Sequence, residues 1–288
     1  MSLFGVAPAR ERLAHALARL RVAAGLSQPQ LAQRLGWSQA KVSRIENAKQ
    51  ATEPSDVAAW THATGASDQL RRELAALAVE AKVGGISIER ALASGLAAAQ
   101  VETAKLEKTA RRLCVYQPVI IPGLLQTPGY VRQIFAAGYP EGRPDIDQAV
   151  AARMDRQEIL YDETRRFEFV LPEAALRWQF GQIDMLRRQL TAIRQQLSLP
   201  NVFIGLIPQH ADAPIWHTHG FVIFDGRGDD DPIVTVETLT AVLPFDDPAS
   251  VEDYRRAFAR LKSVAVHGDQ ARALLDQITE DFRSERRQ

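Results

Sequence analysis

Residues 26–47 read LSQPQLAQRLGWSQAKVSRIEN, a stretch that predicts two short helices joined by a tight turn. Ser27 and Gln30 have the Ser-x-x-Gln spacing of a capping box, which marks the start of a helix. Gly36 can adopt the left-handed conformation that ends a helix, and Ser38 can cap the helix that follows. The stretch therefore predicts a helix-turn-helix unit.

Apolar residues recur at helical spacing on both sides of this unit. A leucine stripe lies upstream, over residues 8–24. Downstream, Pro54 opens a further amphipathic segment, and residues 68–79 have the pattern of a fifth helix. We expect five short helices packed into one bundle, so that residues 8–80 form an N-terminal domain.

The overall composition is that of a globular protein with two domains of ordinary size. The 288 residues are 46% hydrophobic and 24% charged, with 35 Lys and Arg against 35 Asp and Glu. The balance is uneven along the chain, because the first 50 residues contain eight cations and only two acids. A local excess of six positive charges suits a partner rich in phosphate, such as duplex DNA.

The cysteine content and the hydropathy pattern indicate a cytoplasmic location. Cys114 is the single cysteine, so an intrachain disulfide is excluded. No signal sequence and no apolar run long enough to cross a bilayer is visible, so we expect no contact with membranes.

The sequence beyond the bundle predicts a linker and a second domain. A Gly pair in residues 81–86 marks a boundary, and the alanine-rich residues that follow predict a long connecting helix, so that residues 81–113 form a linker helix. Strand-like and helix-like segments alternate over residues 114–284. This region predicts an α+β domain with a sheet of about four to five strands.

Residues 27–47, SQPQLAQRLGWSQAKVSRIEN, resemble the DNA-binding unit of the XRE family, the Cro/C1-type repressors. In that family the second helix enters the major groove. The resemblance implies that Gln39, Ala40 and Arg44 face base edges, although Arg44 could equally contact phosphate. It also implies that a second set contacts phosphate or fixes the register, namely Gln28, Lys41, Ser43, Asn47 and Lys49. The alternative is a helical hairpin that merely packs.

One position departs from the XRE pattern. Ala48 occurs where the family usually has Gly after a Glu-Asn pair. Because of this substitution, the XRE pattern does not fix the backbone conformation at the end of the second helix. Asn47 is the neighbouring residue that tolerates a positive φ.

The C-terminal half resembles a group of actinobacterial regulators that includes WhiJ-like proteins. The shared segments are PGLLQTPGY, ARMDRQEIL, FEFVLPEAALR, NVFIGLIP and VTVETLT. The resemblance implies a transcription factor whose C-terminal domain senses a metabolite or binds a partner. Members of the group are often encoded beside a small acidic protein, and some are described as antitoxin-like.

These observations favour a homodimeric transcriptional regulator that binds an inverted-repeat operator in double-stranded DNA. Its C-terminal domain would dimerise and respond to a small protein or a metabolite. The first alternative is an antitoxin-like protein that sequesters a small partner and regulates its own synthesis. The second is a metal-dependent enzyme, and we expect no enzyme activity, cofactor or catalytic residue.

The enzyme alternative rests on histidines in residues 210–231. His217 and His219 would share one face of a strand, and His210 or Asp225 could complete a metal site. Half-exposed loop histidines are the simpler interpretation, so we expect no metal.

Other chemical candidates have a structural explanation. Glu107, Glu173 and Glu237 could be buried acids, but ion pairs with Arg153, Arg156 or Arg177 are favoured. Cys114 is expected to be a core thiol. Four aromatic residues could line a ligand cavity or pack in the core, and packing is favoured: Trp178, Phe180, Trp216 and Phe221.

Overall fold

The computed structural model describes residues 9–48, 50, 52–83, 85–139, 145–212, 215, 219–226 and 232–285. The chain divides into two compact units. Unit 1 comprises Met1–Ala91 and Leu239–Leu243, and unit 2 comprises Leu92–Thr238 and Pro244–Gln288.

Unit 1 contains the five predicted helices, which confirms the bundle. Their bounds are α1 (Ala9–Ala23), α2 (Gln28–Leu35), α3 (Gln39–Glu46), α4 (Pro54–Ala63) and α5 (Asp68–Val83). Their apolar faces form one core in which Trp60 is completely buried. The indole Nε1 of Trp60 donates to the carbonyl oxygen of Leu17 at 3.1 Å, which satisfies the one polar group of a buried tryptophan.

The connecting segment differs from the single long helix predicted over residues 81–113. It contains β1 (Ile86–Ser87), α6 (Ile88–Ala91) and α7 (Leu96–Thr109). The helix breaks before Gly95, which has a φ of 97° that helical residues do not adopt. The Asp145 carboxylate accepts a hydrogen bond from the Ala97 N–H at 3.0 Å and so fixes the start of α7.

Unit 2 is an α+β domain, as predicted. Its remaining helices are α8 (Pro128–Gly138), α9 (Ile146–Gln157), α10 (Glu173–Arg177), α11 (Ile183–Gln196), α12 (Pro248–Ser263) and α13 (Gly268–Glu285). Its strands are β2 (Arg112–Tyr116), β3 (Arg166–Pro172), β4 (Val202–Ile207), β5 (Phe221–Asp225) and β6 (Ile233–Glu237). Short 3₁₀ helices occupy Gly123–Leu125 and Glu158–Tyr161.

The five strands of unit 2 form a mixed sheet in the order β6-β5-β2-β3-β4. β2, β3 and β4 are parallel, whereas β5 runs antiparallel to β2 and to β6. Helices α8 and α9 lie in the β2–β3 connection, and α10 and α11 lie in the β3–β4 connection. In this register Cys114 of β2 lies between Glu168 of β3 and Ile223 of β5.

The described residues contain seven strands, more than the four to five predicted. The two additional strands are β1 and β7 (Ala241–Phe245), which pair antiparallel with Ile86 opposite Val242. A strand of two residues is too short to show alternation in the sequence, which explains why β1 was missed. Within the described part of the chain, no helix combines the length and the apolarity needed to cross a bilayer.

Candidate DNA-binding site

The helix-turn-helix unit of unit 1 begins with a complete capping box. The Ser27 hydroxyl accepts from the Gln30 N–H at 3.4 Å, and the Gln30 side chain accepts from the Ser27 N–H at 2.8 Å. Gly36 ends α2 with a φ of 67°. The Ser38 hydroxyl accepts from the Lys41 N–H at 3.2 Å and starts α3. The capping and turn signals in the sequence are therefore confirmed.

The inner face of α3 is fixed by packing and by one carboxylate. Val42 and Ile45 are buried in the bundle core. Glu46 accepts from Arg21 Nε at 2.6 Å, from Arg21 Nη2 at 2.9 Å and from Gln28 Nε2 at 2.7 Å. The hydrogen bond to Glu46 raises the pKa of Arg21 above its ordinary value, against the opposing effect of burial. Helices α1, α2 and α3 are thereby joined at one point.

The outer face of α3 is open to solvent. Gln39, Ala40 and Arg44, the three predicted base contacts, are all exposed. At 100° per residue these positions fall within an arc of about 140°, opposite Val42 and Ile45. A side chain in this arc can reach a surface laid against α3.

Arg44 and Asn47 are held by neighbouring residues of their own segment. Arg44 Nε donates to the Gln50 side chain at 2.9 Å. Asn47 Nδ2 donates to the carbonyl oxygen of Ser43 at 2.8 Å. These exposed contacts orient both side chains without burying them.

Lys41 lies at the edge of the outer face and is not free. Its Nζ is 2.8 Å from the Asp56 carboxylate of α4 and lies 3.8 Å from the centroid of the Trp37 ring. A lysine that contacts DNA phosphate from this position must leave or share both partners. Lys49 lies outside the described residues, so the remaining phosphate contacts stay a prediction.

Ala48, the residue at which the sequence departs from the XRE pattern, lies just after the C-terminal end of α3. Ala48 has a φ of 55°, in the left-handed region that favours Gly, whereas Asn47 has a φ of −94°. Asn47, which tolerates a positive φ, does not adopt one here, and Ala48 adopts it with its Cβ in place.

Four residues that position α3 were not identified from the sequence: Arg21, Trp37, Glu46 and Asp56. The ion pairs Arg21–Glu46 and Lys41–Asp56 join residues 25 and 15 positions apart on different helices, whereas Trp37 contacts Lys41 four residues further along the chain. Glu46 alone gave a local signal, because it follows Val42 by one helical turn at the border of the inner face, where a carboxylate needs a partner.

The metal alternative gains no support from the described residues. No group of three His, Cys, Asp or Glu side chains there could hold a metal ion. His219 Nε2 lies 3.1 Å from the Tyr254 hydroxyl, and Asp225 is paired with Arg255 at 2.5 Å. His210 is exposed, and His217 lies outside the described residues.

The ion-pair interpretation of the glutamates is confirmed for two of them. Glu107 and Arg156, both buried, form a bidentate pair at 2.6 and 3.0 Å. Glu173 and Arg177 pair at 2.7 Å.

Glu237 and Arg153 influence each other's pKa. Desolvation raises the pKa of Glu237, and the charges of Arg153 and Arg156 oppose this shift only in part. Burial and the neighbouring Arg156 lower the pKa of Arg153 to about 9. The Arg153 side chain donates to Gln100 at 2.9 Å and to Gln126 at 2.7 Å, and so joins α7, α9 and the chain before α8.

The three described aromatic candidates fall in two separate clusters, Phe221 with Tyr254 and Trp178 with Phe180. Phe221 is buried and contacts Tyr254 at a centroid distance of 5.0 Å, which confirms packing. Trp178 is 54% exposed and stacks on Phe180, so core packing is wrong for Trp178. Trp216 lies outside the described residues.

Cys114 is a buried thiol, as expected. Burial raises its pKa to about 12, and the nearby Arg112 opposes that shift only in part. A thiol with such a pKa is protonated at neutral pH and is a poor nucleophile.

Two family models match the chain. A model described as a helix-turn-helix domain matches residues 12–74, and a model described as a domain of unknown function (DUF5753) matches residues 100–277. No curated protein and no solved structure matches it. The helix-turn-helix identity of the N-terminal region is confirmed, and it supports a DNA-binding regulator; the Cro/C1-type and WhiJ-like assignments stay predictions.

Proposed function

We propose that this chain, which belongs to the family defined by the domain of unknown function DUF5753, is a sequence-specific transcriptional regulator of the Cro/C1-type XRE class. Its helix-turn-helix domain binds double-stranded DNA, and its C-terminal domain adjusts that binding. The activity of the molecule is recognition, and it requires no catalytic residue.

One observation supports DNA recognition above the others. α3 is anchored through Val42, Ile45 and Glu46, and its opposite face presents Gln39, Ala40 and Arg44 to solvent. Glutamine can pair with adenine through two hydrogen bonds, and arginine can pair with guanine in the same way. A rigid helix with an unburied polar face of this composition suits the major groove.

The remaining predicted contacts have a positioning role in this proposal. Ser43 and Asn47 lie on the same arc of α3 as the base-contacting residues and are placed to meet phosphate. Gln28 donates to Glu46 and is placed at the start of α2, where it can meet a phosphate. Lys41 and Lys49 add positive charge that attracts phosphate. Phosphate contacts of this kind fix the register but do not select a sequence.

The regulator acts as a homodimer in this proposal, with two α3 helices meeting two half-sites of an inverted repeat. The C-terminal domain dimerises and senses a small protein, such as an acidic partner, or a metabolite. Light scattering on the chain, alone and with a symmetric duplex, tests this part. A monomer bound to that duplex would contradict it.

Sequence recognition is tested by selecting binding sites for the full chain from random duplexes and measuring affinity by fluorescence anisotropy. We expect the selected site to bind at least about 10³-fold more tightly than a scrambled duplex. Arg44→Ala should cost about 1–3 kcal/mol and relax the preference at one base position. Arg72→Ala, which removes an exposed cation of α5, is the charge-matched control. Recovery of no preferred sequence would refute the proposal.

A further inference from the structure

Unit 2 contains a cavity of about 710 Å³ between one face of the sheet and α12. Cys114, Ile223 and Phe203 form its floor, and Phe258 and Ala259 of α12 line the opposite side. The volume lies within the range of sites that hold small organic molecules. These three floor residues are apolar, which favours a ligand with an apolar body, and the paired carboxylate of Glu168 lies between Phe203 and Cys114 in the strand register.

Cations dominate the charged lining of this cavity. Arg112, Arg255, Arg256 and Lys262 line it, whereas Glu252 is the one acid among the lining residues.

Two buried carboxylates form ion pairs with three of these cations. Glu168 accepts from Arg112 at 2.8 Å and from Lys262 at 2.5 Å, and Asp225 accepts from Arg255 at 2.5 Å. Asp253 pairs with Arg256, and Arg166 lies 3.7 Å from Glu168, so the described cluster comprises five cations and four carboxylates, Glu252 included, and has one positive charge in excess. A ligand with a single negative charge would balance the cluster.

The cations retain hydrogen-bond donors for such a ligand. A guanidinium has five N–H groups, and the described hydrogen bonds use one of those of Arg112 and one of those of Arg255. Because the apolar floor excludes water from one side, a charged hydrogen bond formed here is stronger than one at an open surface.

The aromatic lining suits a flat ligand. Lys262 Nζ covers one face of the Phe203 ring at 4.2 Å from the ring centroid, and the His267 ring lies tilted beside it at a centroid distance of 5.5 Å. Phe203 is only partly buried, so its ring can make an edge-to-face contact with a planar group. Gly205 allows the segment after α12 to approach this edge of the sheet, because a Cβ there would lie 2.9 Å from the Cβ of Ala265.

We propose that the cavity between the sheet and α12 binds a small aromatic carboxylate, with its ring against the edge of Phe203 and its carboxylate against Arg112, Arg255 and Lys262. The binding step itself does not depend on DNA recognition. Its regulatory consequence rests on the proposed function, because the ligand would then be the metabolite that alters operator binding.

The test compares 2-naphthoate with 2-naphthalenemethanol, a neutral compound of nearly the same shape, by isothermal titration calorimetry on the full chain. We expect 2-naphthoate to bind at least about tenfold more tightly, because the neutral compound leaves the excess cation unpaired. Equal affinities, or no binding of 2-naphthoate at millimolar concentration, would overturn the proposal.

Variants of α12 locate the binding site. Ala259→Phe fills the cavity from an exposed position and should abolish 2-naphthoate binding. Arg256→Gln removes a lining cation whose partner, Asp253, lies one turn away, and should weaken binding about threefold. Arg260→Gln changes the same residue type on the same helix outside the cavity and should have no effect. Undiminished binding by a folded Ala259→Phe chain would overturn the proposal.

Titration with 2-naphthoate in the anisotropy assay then tests regulation separately, so failure of DNA binding and failure of ligand binding give different results.

Discussion

Arg21 of α1 and Glu46 of α3 form a bidentate ion pair, with Nε–Oε1 and Nη2–Oε2 distances of 2.6 and 2.9 Å, at the inner end of the candidate recognition helix. Glu46→Gln should destabilise unit 1 by about 1–3 kcal/mol, because it removes a charged acceptor that serves both Arg21 and Gln28. Urea unfolding followed by circular dichroism measures the change. Glu73→Gln on the exposed face of α5 is the control, and a loss of equal size there would show that the ion pair is not the cause.

Ala48→Gly should stabilise the protein by about 0.5–1 kcal/mol, since Gly relieves the left-handed strain at φ 55° and loses part of that gain to chain entropy. Ala76→Gly, at an exposed interior position of α5, should instead destabilise it by about 1 kcal/mol. Thermal unfolding of the two variants gives shifts of opposite sign. Destabilisation by both would show that Ala48 is not strained.

Asp56→Asn should tighten binding to all DNA sequences a few-fold, because it releases the Lys41 ammonium from its 2.8 Å ion pair. The slope of log affinity against log salt should become steeper by up to about one. Anisotropy titrations at several salt concentrations measure both quantities. Asp68→Asn removes a negative charge from the first turn of α5 and is the matched control; an identical gain there would point to net charge alone.

Lys41→Ala should weaken binding to every sequence and lower the salt slope, while leaving base preference unchanged. The side chain contributes charge and no base contact in this assignment. Its removal also leaves Asp56 without the 2.8 Å partner, which adds to the loss of affinity. Competition assays with single-base variants of the selected site provide the measurement, and a changed preference at one position would contradict the assignment.

Acid should destabilise unit 2 through Glu168. Burial disfavours its charge, but hydrogen bonds from Arg112 and Lys262 outweigh burial and hold the pKa of Glu168 below its ordinary value. The stabilisation is therefore fully present above the ordinary pKa of about 4.5 and is lost as the pH falls through the lower folded-state pKa.

Glu168→Gln tests this linkage. It should cost about 2 kcal/mol at pH 7, a value below that of a fully buried pair because Arg112 and Lys262 remain partly exposed. Its stability should then fall less steeply than that of the wild type between pH 6 and 3 in thermal unfolding. Glu163→Gln, at an exposed position, should preserve the wild-type pH profile, and equal profiles for all three chains would refute the role of Glu168.

Local signals in the sequence predicted the features of unit 1 that depend on neighbouring residues. The capping box of Ser27 and Gln30, the left-handed Gly36 and the Ser38 cap all involve residues within a few positions of one another. The restraint on Lys41 could not be predicted in this way, because Asp56 lies on another helix and outside the 50 residues whose charge excess indicated DNA binding.

The same limit applies to unit 2. Strand-like segments in the sequence predicted a sheet in this domain, yet they could not show that the register places Glu168 beside Cys114 or that Lys262 reaches the same carboxylate from α12. Side chains of one sheet face come from strands that are far apart in sequence, so the cavity and its charge balance follow only from the pairing.

Glu168 has its two closest cationic partners 56 residues before it and 94 residues after it. A nascent chain that ends at β3 can pair this carboxylate with Arg112 and Arg166 but not with Lys262, and the domain is completed only when α12 has left the ribosome. The ion pairs of α3 span 25 and 15 residues, so the helical bundle has no such delay. During synthesis, the helix-turn-helix bundle is therefore complete well before the C-terminal domain that we propose regulates its binding to DNA.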